Sequence, residues 1–163
     1  MFNDLMIWLS TVIFHDLRVL ITAALPILEL KASIPLGIGF GMHPLHAFLV
    51  SYLGSLLPVP FLFLLIRPIF FEFKKLNFLK DKIEALEAKT IRKSVNIQKY
   101  GALGLLLFVA IPLPGTGVWT GTLGAVLLDI RFKWAFPAIC IGNFIAGCII
   151  LSLSYGAASV LGT

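Results

Sequence analysis

Two stretches of the chain are apolar enough, for long enough, to cross a bilayer as helices, which takes about 20 residues. One runs from His46 to Phe71 and carries Pro58 and Pro60, prolines that a membrane helix tolerates as kinks. The other runs from Trp134 to Leu161. Two further apolar regions are interrupted. Residues 1–35 hold His15, Asp16 and Arg18 in mid-run, where charge at membrane depth is expensive. The pattern there predicts a short amphipathic or partly inserted N-terminal helix over about 2–14, carrying Trp8, and then an apolar piece over 17–28. That piece meets Pro26, Glu29, Lys31 and Pro35, followed by Gly37, Gly39, Gly41 and the pair His43–Pro44. The region 101–128 is built alike. An apolar piece leads into Pro112-Leu-Pro-Gly-Thr-Gly117, and a second one leads out to Asp129-Ile-Arg131.

Apolar pieces of about 10–14 residues broken by Pro and Gly point to re-entrant segments or discontinuous helices. Both halves show this order: short helix, Pro-rich break, short Gly-containing helix, polar turn, full span. A shift of 88 residues places Pro26 on Pro114, Phe48 on Phe136 and Gly54 on Gly142. The expected fold is an all-α integral membrane protein forming one transmembrane domain over residues 1–163. Two inverted repeats, about 15–71 and 99–161, would each comprise a re-entrant helical hairpin and one transmembrane helix. A re-entrant hairpin returns to its own side, so each repeat crosses once and the second is inverted. Four ordinary helices are the competing reading.

Composition narrows the class. Hydrophobic residues are 59% of the 163 and charged residues 13%, against about 25% charged in soluble domains; mean hydropathy is +0.99. So few charges cannot cover a water-facing surface, which excludes a soluble enzyme, a disordered protein and a secreted disulfide scaffold. Between Arg67 and Lys99 lie nine basic and four acidic residues, and that difference is the whole net charge of +5. A basic segment flanked by apolar stretches reads as a cytoplasmic loop, about 72–99, under the positive-inside rule, and not as a nucleic-acid surface. Leu79, Ile83, Leu86 and Ile91 recur within it near helical spacing, which predicts a surface-lying helix over about 77–98. Cys140 and Cys148 are eight residues apart in one apolar run, too far along a helix for a bridge.

The candidate chemistry lies where charge or free backbone interrupts the apolar pattern. Glu29 is the only acid between Asp16 and Glu72. An ionisable group at membrane depth is a functional hypothesis by default, and a carboxyl there is suited to taking up and releasing a proton. The competing reading is an ion pair with Lys31 that fixes the hairpin tip. The second break carries no charge but offers the hydroxyls of Thr116 and Thr120, with Thr116 placed to cap a half-helix beginning near Gly117. A half-helix N-terminus presents partial positive charge to an anionic group. Pro26, Pro35, Pro112, Pro114, Gly115 and Gly117 are the expected hairpin-tip residues. Ser33/Gly37/Gly41, Gly117/Gly121 and Ala138/Gly142/Ala146 recur four residues apart, as close helix packing requires. His15, His43 and His46 lie near segment ends without evident metal partners. No metal or cofactor is expected, and no nucleophile–base pair or phosphate-binding loop supports an enzyme.

Glu29-Leu-Lys-Ala-Ser-Ile-Pro-Leu-Gly-Ile38 and Ile111-Pro-Leu-Pro-Gly-Thr-Gly-Val-Trp-Thr-Gly121 resemble the two signature stretches of the putative small multi-drug export protein family of bacteria and archaea, over about residues 20–160. The resemblance implies a multi-pass transporter of the cell membrane. That family more distantly resembles the DedA membrane proteins, with paired re-entrant hairpins and roles in polyprenyl-phosphate lipid translocation. Glu29 matches one of their first-hairpin acids. Their second hairpin carries arginines near a Pro-Gly turn, where this chain has Ala110 and Gly117 or Val118. Three functions follow as expectations: a proton-coupled exporter of a small amphipathic compound, a flippase or scramblase for an anionic lipid, or a structural or accessory membrane protein. Membrane lipids are the expected surroundings. Two repeats of one span each enclose little of a substrate path, which favours a homodimer.

Overall fold

In hydrocarbon a single chain segment satisfies its own backbone only as a helix, and the regular structure among the described residues is all helical. The computed structural model describes residues 2–74, 84–86, 88–90, 92 and 95–161. Among the described residues these helices run in order: α1 Phe2–Ala24, α2 Glu29–Gly39, α3 Pro44–Leu56, α4 Pro58–Lys74, α5 Val95–Ala110, α6 Val118–Leu127 and α7 Phe132–Leu161. No strand occurs among the described residues. Two segments among the described residues have the length and apolar character to cross a membrane, Pro44–Ile66 and Phe132–Gly156. Half of the helix expected over 77–98 lies outside the described residues; the described ones, 84–86, 88–90, 92 and 95–98, are helical. Cys140 and Cys148 both remain thiols.

The chain divides into two compact units that do not coincide with the sequence repeats: residues 1–56 with 147–163, and residues 57–146. In the first unit α1, α2 and α3 pack on one another. Their outer faces are apolar at helical spacing, with Ile13, Leu17 and Ile21 on α1 and Leu45, Leu49 and Leu53 on α3 all exposed. Their inner faces carry small or polar residues, among them Ala23, Ser33, Gly37, Ala47, Ser51 and Gly54. That inside-out distribution suits a lipid surrounding, where close backbone approach replaces the hydrophobic effect as the force joining helices. A Cβ on Gly54 would stand 2.7 Å from the Leu20 carbonyl oxygen and 3.0 Å from Ala23 Cβ. Leu30, Ile34 and Phe48 form the apolar cluster of this unit, with Ile38, Tyr52, Ile150 and Leu151 against it. Phe48 stacks on Tyr52 at 6.1 Å and meets the bare backbone of Gly147.

In the second unit α6 packs on α4 and α5. Gly121 closes on Val109, and a Cβ on Gly142 would stand 2.6 Å from the Leu106 carbonyl oxygen and 2.9 Å from Val109 Cβ. Phe63, Phe132 and Phe136 make an aromatic group, with Phe132 edge-on to Phe63 at 5.1 Å and stacked on Phe136 at 5.2 Å. The helix α5 turns sharply at Gly101, which has φ 57° and ψ −128°. That turn marks the start of the apolar piece at the position its composition indicated.

Two expectations are corrected. The N-terminal helix is neither short nor broken near His15, since α1 continues unbroken to Ala24. Its charged residues are satisfied sideways instead. Asp16 Oδ1 lies 2.8 Å from His46 Nε2 on α3, and the Arg18 guanidinium lies 5.9 Å above the Phe40 ring. The span expected over His46–Phe71 is present as the candidate span Pro44–Ile66, but where a kink was expected it is interrupted for one residue, Leu57 before Pro58, between α3 and α4. Proline disfavours a helical conformation in the residue before it, so the boundary falls there.

Candidate functional site

The first break occupies residues 25–28. The Leu25 N–H donates to the Thr22 carbonyl, and the Glu29 N–H to the Leu25 carbonyl. Pro26 sits exposed in this turn. The chain then reverses through Glu29, whose φ of 47° lies in the left-handed region. That conformation is ordinary for glycine or asparagine and costs other residues about 1–2 kcal/mol. Glu29 opens α2 and is 5% exposed. Its Oε2 lies 3.8 Å from Lys31 Nζ, and the lysine side chain is about a quarter exposed. Two positions apart on a regular helix these side chains would diverge; the irregular backbone at Glu29 lets them meet. Pro35 lies inside α2, where its missing N–H cannot donate to the Lys31 carbonyl.

The second break spans residues 111–117, between α5 and α6. Gly115 and Gly117 have φ of 81° and 140°, values that side chains with a Cβ rarely adopt. Thr116 was expected to cap α6, but its hydroxyl is turned into the loop. It donates towards the carbonyls of Ile111 at 2.7 Å and Leu113 at 2.9 Å, and accepts from the Leu113 N–H at 3.1 Å. The N-cap position of α6, Gly117, has no side-chain cap. Pro112 is partly buried and Pro114 exposed within this loop, while Thr120 is partly buried in the first turn of α6. Glu29 and Lys31 are thus brought together in the first unit. Thr116 is tied into its own loop in the second, and no contact joins Thr116 to Thr120 among those described.

Several buried polar residues go beyond the sequence reading, which assigned Ser33 to helix packing and gave the others no role. Ser33, Ser51, Ser55 and Thr122 are fully buried. Ser55 donates to the Tyr52 carbonyl at 2.9 Å, and Thr122 to Val118 at 2.6 Å, whereas the hydroxyls of Ser33 and Ser51 have no partner. The signal was present in the sequence. Glu29 and Ser33 are four apart, as are Ser51 and Ser55, so each pair marks one helix face.

All three histidines gather at the far end of the first unit, around a cleft of about 240 Å³ lined by His15, Asp16, Phe40, Met42, His43 and His46. His15 stacks on Phe40 with ring centres 5.0 Å apart. No group of three or more His, Cys, Asp or Glu among the described residues is arranged to hold a metal ion.

Neither the curated proteins nor the solved structures hold a match to this chain. Residues 29–149 match the family described as putative small multi-drug export protein. The match begins at the buried acid Glu29, takes in the whole Pro-Gly loop before α6, and covers most of the chain. With the two apolar spans and the lipid-suited outer faces, it makes this a membrane protein of an export family: the chain belongs to the putative small multi-drug export protein family.

Proposed function

We propose that the protein exports a small amphipathic compound across the cell membrane in exchange for protons, with Glu29 as the proton carrier. The observation that carries this is the carboxyl group of Glu29, 5% exposed, set at a left-handed break and facing a lysine. Strained backbone positions cluster at working sites because the surrounding fold must hold them. Lys31 neutralises the carboxylate while it is charged, and taking up a proton releases the lysine for other contacts. A group with two charge states and two partners is what coupling one flux to another requires.

The same reading includes two inverted repeats with re-entrant hairpins and the loop 72–99 in the cytoplasm. Supporting the repeats, each unit sets a glycine of a spanning segment against an earlier helix in the same way. Gly54 meets the Leu20 carbonyl and the Cβ three residues later, and Gly142 meets the Leu106 carbonyl and the Cβ three residues later. The two glycines are the pair that the shift of 88 superimposes, and the residues they meet are related by a shift of 86. Arg131 and Lys133 would then share the cytoplasmic side with the basic loop. A homodimer would complete the wall of the substrate path.

The experiment is ethidium movement in proteoliposomes under an imposed pH gradient, extended to a panel of lipophilic aromatic anions. Glu29→Gln is expected to abolish gradient-driven movement while expression and thermal stability persist. Undiminished movement in that variant would falsify the carrier role. The uncapped N-terminus of α6 beside Gly117 favours a second reading, translocation of an anionic lipid headgroup. Its test is transfer of a labelled polyprenyl phosphate, and no activity across several anionic lipids would defeat it.

A further inference from the structure

The register of the first three helices is fixed by two close contacts. A Cβ on Gly37 would meet Ala47 Cβ at 2.8 Å and Val19 Cγ2 at 3.3 Å, and one on Gly54 would meet Ala23 Cβ at 3.0 Å. Val19, Gly37 and Ala47 therefore form one layer where α1, α2 and α3 meet. Four residues along each helix, about 6 Å further, the next layer is Ala23, Ser33 and Ser51, all 0% exposed. A turn beyond that come Glu29 on α2 and Ser55 on α3, at 5% and 0%.

In this middle layer the hydroxyls of Ser33 and Ser51 are buried without a partner. A buried hydroxyl left unsatisfied costs about 1–3 kcal/mol. A helical serine or threonine ordinarily avoids that cost by donating to the carbonyl four residues back. Thr22, Thr122 and Ser152 all do so in this chain, at 2.7, 2.6 and 2.8 Å. Ser33 and Ser51 do not, so their hydrogen-bonding capacity is turned into the space between the helices, one turn from Glu29.

We propose that Ser33 and Ser51 hold a buried water molecule that relays protons to and from Glu29, an inference that rests on the carrier reading. Two hydroxyls supply the polar partners that a buried water needs, and every side chain of the layer is small. A water with two hydrogen bonds of about 2.8 Å spans close to the 6 Å between layers. A metal cation is the poorer occupant, because the charge of Glu29 is already matched by Lys31. The relay balances simply. The water oxygen accepts an incoming proton as the water gives a different one to a Glu29 carboxylate oxygen. The water is restored, and the serines reorient their hydrogen bonds without ionising.

Infrared difference spectroscopy on the full chain in lipid tests this without a transport substrate. The protonated carboxyl band of Glu29, formed as pH is lowered, is identified by its loss in Glu29→Gln, and its shift is timed after transfer to heavy water. Ser33→Ala/Ser51→Ala is expected to slow that exchange by about tenfold or more, the equivalent of one lost hydrogen bond. Thermal stability should change little, since the two hydroxyls and the water they hold are removed together. The single variants should fall between. An unchanged exchange rate with the band intact overturns the relay and leaves the serines as packing residues. If Glu29→Gln removes no band, the carrier reading fails and the relay falls with it.

Discussion

Replacing Gly54 with alanine tests the closest approach between α1 and α3. The added Cβ would lie 2.7 Å from the Leu20 carbonyl oxygen, 3.0 Å from Ala23 Cβ and 3.1 Å from Leu20 Cα. Comfortable separations are about 3.5–4.0 Å, so the helices must part by about 0.5–1 Å, which forfeits a quarter to a half of the dispersion attraction along the seam. The obstacle is backbone, which cannot swing aside as a side-chain end can. Overpacking of this kind costs about 1–3 kcal/mol, while alanine for glycine in a helix returns up to about 1 kcal/mol. Gly39, near the end of α2, supplies the control, because a Cβ there meets nothing within 4 Å. Equilibrium unfolding in mixed micelles should therefore find Gly54→Ala less stable than Gly39→Ala by about 1–3 kcal/mol. Gly142→Ala, which meets the Leu106 carbonyl oxygen at 2.6 Å, should lose a similar amount if the two halves are built alike. A Gly54→Ala variant as stable as Gly39→Ala would refute the packing argument. Unequal losses at Gly54 and Gly142 would weaken the case for repeats.

Lys31→Met leaves Glu29 buried without its cation and should destabilise the protein by about 1–3 kcal/mol. Adding Glu29→Gln should recover most of that loss in the same unfolding assay, and an additive double variant would show that the pair contributes nothing. Asp16→Ala and His46→Ala each remove the 2.8 Å tie between α1 and α3. Both partners are substantially exposed, so global stability should change by less than about 1 kcal/mol. Amide hydrogen exchange over residues 40–47 should nonetheless quicken, and unaltered exchange there would mean that the tie does not hold the cleft together.

What could be read in advance was whatever the backbone itself dictates. Pro112, Pro114, Gly115 and Gly117 have local conformational meaning, so the break before α6 and the start of the apolar piece at the Gly101 turn within α5 were legible from composition and order. Charge was harder to place. His15, Asp16 and Arg18 look intolerable in a helix if lipid lies on every side, and the reading broke α1 there. Their partners, His46 and Phe40, come from 22–30 residues further along the chain, which one-dimensional periodicity cannot show. The Leu57–Pro58 boundary was visible as proline but read as a kink, because membrane helices often carry proline without ending. At the site, Glu29 and Lys31 stood out as lone charges in apolar surroundings. Ser33 and Ser51 did not, since a small residue that lets helices approach and one that offers a hydroxyl to the interior are the same letter.

The left-handed backbone at Glu29 has a practical consequence for dissecting this protein. A position with φ of 47° would be relaxed by glycine, so the fold by itself would be better served without a carboxylate there. Glutamine keeps the strain and discards the charge; glycine discards both. Comparing the two substitutions separates what the acid does from what the bend does, a distinction that removing the side chain alone would blur. The glycine form should also be the sturdier of the two, making it the more tractable specimen of a protein whose acid has been silenced.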